Sequence, residues 1–72
     1  MINVNKLRGK IVERGLNIEG LANMLDMNKS TLYRHINGGG DNLSIREAKA
    51  ISTALGLDHD EVMDIFFNHT VA

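Results

Sequence analysis

A chain of 72 residues makes one small domain, and a domain of this size buries only about 60% of the surface its unfolded form exposes. With no cysteine it has neither a disulfide nor a thiolate metal site for support, which excludes a disulfide-stapled secreted miniprotein and leaves helix packing or a partner chain to hold it. A formal net charge of −1 excludes a uniformly basic nucleic-acid binder.

No apolar run approaches the roughly 18 residues of a membrane span. The first residues alternate Asn, Lys and Arg with apolar side chains, so they lack the apolar core of a signal peptide. The expected compartment is the cytoplasm, with no membrane partner. Charge is unevenly spread. Residues 1–37 carry Lys6, Arg8, Lys10, Arg14, Lys29 and Arg34 against Glu13, Glu19 and Asp26, a balance of +3. Residues 38–72 carry Arg46 and Lys49 against Asp41, Glu47, Asp58, Asp60, Glu61 and Asp64, a balance of −4. A basic half of this kind would suit phosphate, or an acidic protein surface.

Val4, Leu7 and Ile11 recur at helical spacing and Gly15 suits a left-handed end, which predicts a first helix over 4–14. Asn17 is a candidate N-cap for a short second helix carrying Leu21, Ala22 and Leu25. After a break at Asp26-Met27, Asn28 or Lys29 opens a third helix with Leu32 and Ile36 inward, ended by Gly38. The run Gly38–Asn42 must be a loop, because consecutive glycines cost a helix about 1 kcal/mol each. Ser44 and Glu47 form a capping box for a fourth helix with Ile45, Ala48, Ile51 and Leu55 inward, closed by Gly56. Asp58 and Glu61 repeat the cap for a fifth, with Val62, Ile65 and Phe66 as its inner face; the tail from Asn68 is expected to fray.

Residues 18–37 carry the functional signal. A short helix, a tight turn and a second helix is the arrangement that lays one helix in the DNA major groove. Ala22 is small enough for close crossing. Met27, Leu32 and Ile36 supply the inner apolar positions. The outer face of the third helix then carries Asn28, Lys29, Ser30, Thr31, Tyr33, Arg34 and Asn37, with no acid between Met27 and Gly40.

Leu16–Ala22, Met27–Arg34, Gly38 and Ala50–Leu57 together resemble the Cro/repressor-like (XRE) helix-turn-helix family, over about residues 4–66. The resemblance implies an all-α, five-helix lambda-repressor-like DNA-binding domain spanning 1–72. Its length is similar to that of small temperate-phage Cro-like or modulator-of-repression proteins. By position, the family's DNA contacts fall on Asn28, Lys29, Ser30, Tyr33, Arg34 and Asn37. The chemistry agrees: Arg34 can pair with guanine through two hydrogen bonds, while Asn and Ser can read adenine or anchor phosphate. A solvated helix face is the bland alternative for Lys29 and Arg34.

Three positions depart from the family pattern. Ile18 replaces the usual Gln opening the second helix. Asp26 stands where Gly is common, although Asp tolerates a left-handed backbone. Met24 stands where a polar residue is usual. With Met63 and Phe67, which widen the apolar face of the fifth helix, Ile18 and Met24 form a possible protein-partner surface, the alternative being an incompletely buried core edge.

His35, His59 and His69 lack metal-ligand spacing, the acids at 58–64 lack a calcium loop, and nothing pairs a nucleophile with a base in a pocket. No cofactor, metal or catalytic site is expected. The expected function is a small phage transcriptional regulator of a lysis–lysogeny switch, acting in the bacterial host. Its expected partners are double-stranded operator DNA, a phage repressor and, as a homodimer, a second copy. The alternative is an antirepressor that binds the repressor's DNA-binding domain and has little DNA binding of its own.

Overall fold

The computed structural model describes residues 2–38 and 43–67. It has five helices: α1 (Val4–Glu13), α2 (Ile18–Met24), α3 (Lys29–Asn37), α4 (Ile45–Leu55) and α5 (His59–Phe66). No strand occurs among the described residues. The expected loop residues 39–42 and the tail 68–72 lie outside the described residues.

Each helix starts where a side chain can satisfy an otherwise unpaired amide. Asn3, Asn17 and Asn28 accept from the amides of Lys6, Gly20 and Ser30 at 3.1, 2.7 and 2.8 Å. Ser44 with Glu47, and Asp58 with Glu61, close complete capping boxes in both directions. Two of the breaks are left-handed glycines, Gly15 at φ +73° and Gly56 at φ +63°.

The core takes two buried side chains from every helix: Leu7 and Ile11, Leu21 and Ala22, Leu32 and Ile36, Ile51 and Leu55, Ile65 and Phe66. No helix is therefore peripheral. At about 1.5–3 kcal/mol for each fully buried large side chain, detaching any one helix removes a substantial part of a marginal stability. Polar ties close the ends of the bundle. The Asn3 amide donates to the Ile65 carbonyl at 2.7 Å. Arg14 Nε donates to the Leu55 carbonyl, also at 2.7 Å.

Ile45 corrects the expected inner face of α4. Its side chain is 80% exposed. At 100° per residue it lies roughly 100° from the midline set by Ile51 and Leu55, and as the first helical residue it has no preceding turn to fold under. Val62, by contrast, packs half-buried against the core beside Ile65.

Candidate nucleic-acid interface

The turn between α2 and α3 is built by backbone hydrogen bonds and one unusual residue. The Leu25 amide donates to the Leu21 carbonyl at 3.0 Å, and the Met27 amide reaches back to the Ala22 carbonyl at 2.9 Å. Between them Asp26 takes φ +56°, the one non-glycine left-handed residue among those described. That reversal redirects the chain, Met27 packs against the core, and Asn28 caps the new helix. Ala22, 1% exposed, lets the two helices lie close.

Burial of Leu32 and Ile36 then fixes which face of α3 points outward. Asn28, Lys29, Ser30, Tyr33 and Arg34 are all exposed, and Lys29, Ser30, Tyr33 and Arg34 border a common depression. Asn28 uses Oδ1 for the cap, leaving its amide nitrogen as the group that could meet a ligand.

Asn37 is placed differently from the other five. It is half-buried on the flank of α3, and its amide Oδ1 and Nδ2 are shut off from solvent without a hydrogen-bond partner. It lines a groove of about 330 Å³ with Tyr33, Ile18, Asn17, Val12 and Arg8. Neither Arg8 nor Asn17 stood out in the sequence. Asn17 was absorbed by its capping role, and Arg8 was one cation among several on α1. Only the docking of α1 beside α3 shows that Arg8 shares a groove with Tyr33.

The suspected partner surface is dispersed. Ile18 lines the groove just described, whereas Phe67 lines a second groove with Ile45, Ala48 and Val62. Met24, Met63 and Phe67 are exposed at 56%, 43% and 44%, and Ile18 is half-buried. Val12, at 72%, is a further exposed apolar side chain that the periodicity did not single out.

The basic and acidic halves meet each other. Lys6 Nζ is 3.0 Å from Asp64 Oδ2, and Lys10 pairs with Glu61 and, at 3.3 Å, with Glu13. Arg14 is held by Glu13 and the Leu55 carbonyl. The hydrogen bond from Lys10, then that from the Asp58 amide, holds the Glu61 carboxyl below its ordinary range, and Glu61 in turn raises Lys10. Half of the basic residues in 1–37 are thus engaged inside the molecule. Arg8, Lys29 and Arg34 make no ion pair among the described residues.

The side-chain set can donate hydrogen bonds and positive charge to an anionic surface and pair with base edges. Among the described residues no group of three His, Asp or Glu converges as a metal site, and no helix is long and apolar enough to cross a membrane. No curated protein and no solved structure gives a match to the chain. The family model for helix-turn-helix proteins matches residues 7–62, most of the chain, so α2 and α3 stand in a recognised setting. The chain belongs to the helix-turn-helix family of the XRE type, a family of DNA-binding transcriptional regulators.

Proposed function

We propose that this protein is a small regulator of a temperate-phage lysis–lysogeny switch, which binds operator DNA through α3 and opposes or modulates a partner repressor in the bacterial cytoplasm. The observation that carries the reading is the acid-free outer face of α3, with Lys29, Ser30, Tyr33 and Arg34 exposed around one depression. In this reading α2 braces α3 across the sugar–phosphate backbone, Arg34 reads a base edge, and Lys29 and the Asn28 amide hold phosphate. Asn37 joins the contacts by turning its unpartnered amide toward the duplex. With three cations outside ion pairs on this side, one protomer binds weakly, so nanomolar affinity requires a homodimer or a second DNA-bound protein.

A second reading is favoured by a separate observation. Met24, Met63 and Phe67 are exposed apolar side chains, and Asp60 in the first turn of α5 is an exposed acid outside every ion pair among the described residues. An antirepressor that covers the basic DNA-binding domain of a repressor would use such a surface. Electrophoretic shifts with this protein, the repressor and both, across a salt series, separate the two. A salt-sensitive shift by this protein alone supports operator binding. No shift alone, with altered repressor binding in the mixture, supports the antirepressor.

A further inference from the structure

α3 is joined to α4 by a single charged contact among the described residues. His35 Nδ1 stands 3.2 Å from Glu47 Oε2, and each side chain is 22% exposed. Nδ1 is shut off from solvent and no hydrogen bond reaches it, so this approach is its only compensation. Glu47 is itself fixed. Its Oε1 accepts from the Ser44 amide at 3.1 Å, and its own amide donates to Ser44 Oγ at 3.0 Å. The capping box therefore holds the carboxylate in place with Oε2 turned to His35. No side-chain hydrogen bond joins α3 to another helix among the described residues, so the pair is the polar link between the outward-facing helix and α4.

We infer that His35 is a positioning residue: when protonated, it straps α3 to α4, and the presentation of α3 depends on that proton. Glu47 is the one carboxylate within 4.0 Å of the imidazole among the described residues; α1, α2 and α5 bring none. Arg34 precedes His35 on α3 and Arg46 precedes Glu47 on α4, and both are exposed to solvent, where water screens them. His35 lies in the last turn of α3, where a cation faces the negative end of the helix dipole. An imidazole changes charge around pH 6.5 in ordinary surroundings. The effect of the strap on DNA binding rests on the operator reading above; the strap itself rests only on the contact.

The test compares wild type, Glu47→Gln and His59→Gln at constant ionic strength. Glutamine still serves the capping box and removes only the charge. Urea unfolding is measured at about pH 6 and about pH 8. Binding is measured, at the same two pH values, to a duplex that the wild-type protein selects from a randomised library. The expected result is an unfolding equilibrium constant about threefold larger at the higher pH in wild type, a size suited to a partly exposed pair. That difference persists in His59→Gln and vanishes in Glu47→Gln, and duplex affinity follows the same pattern. A flat wild-type profile, or a Glu47→Gln profile that matches wild type, overturns the strap. A stability profile that follows the strap while no duplex is selected leaves the strap standing and removes the operator reading instead.

Discussion

Lys6 on α1 and Asp64 on α5, fifty-eight residues apart in the chain, meet at 3.0 Å. Beside them Lys10 meets Glu61. Two of the six cations of residues 1–37 are thus paired with the acidic half, in a seam between the first and last helices. Of the cations in residues 1–37, those left for an external anion are Arg8, Lys29 and Arg34. At about −0.9 per phosphate neutralised, the slope of log affinity against log salt should be about −2 to −3 per protomer. Lys29→Ala should reduce its magnitude by about 1, and Lys6→Ala should leave it unchanged. Titrations of a labelled duplex at several salt concentrations give these slopes.

The same seam makes a statement about acid. The Glu61 carboxyl is held below its ordinary value of 4.5 by the Lys10 hydrogen bond and the Asp58 amide. Its stabilising contribution is fully present above pH 4.5 and is lost as pH falls through the depressed folded value. Glu61→Gln keeps a capping side chain but not the charge, so its urea midpoint should lie below that of wild type at neutral pH. The two should converge in strong acid. Parallel curves down to the lowest pH would show that the pair contributes nothing.

Asp26 holds φ +56°, a conformation that costs an L-residue about 1–2 kcal/mol, of which glycine returns part through its own greater freedom when unfolded. Asp26→Gly should therefore raise stability by about 0.5–1 kcal/mol. It should also tighten duplex binding, because it removes an acid from the turn ahead of α3. Thermal unfolding and the duplex titration read the two effects separately.

Much of the architecture was legible in the sequence because its signals are local. Asn17, Asn28, Ser44 and Asp58 announce helix starts within three residues of the amides they cap, and the left-handed backbone of Gly15 follows from residue type, whereas that of Asp26 is one its residue type merely tolerates. Leu32 and Ile36 lie one turn apart and so define the outer face of α3. What escaped notice depends on how distant elements dock. Ile45 fits the apolar repeat of α4 yet is 80% exposed, since periodicity gives a stripe but not its edge. The withdrawal of the Asn37 amide, the pairing of His35 with Glu47 and the Lys6–Asp64 seam are each set by packing between helices. No spacing rule within one helix reports them.

Leu32 is fully buried beneath the outward face of α3, whereas Ile45 stands in solvent. Leu32→Ala should cost about 2–5 kcal/mol, enough to unfold much of a domain this small at room temperature. Ile45→Lys should change stability by no more than about 0.5 kcal/mol. Urea midpoints of the two variants check the assignment of inner and outer faces directly.

The reading of α3 as the DNA-contacting element is tested most directly by Arg34→Ala. The measurement is fluorescence anisotropy of the pure protein on a duplex it selects from a randomised library, with every base pair of that duplex varied in turn. Loss of about 1–3 kcal/mol of binding, with preference erased at one base pair and retained at the others, is the predicted result. Unchanged affinity and unchanged base preference would contradict it.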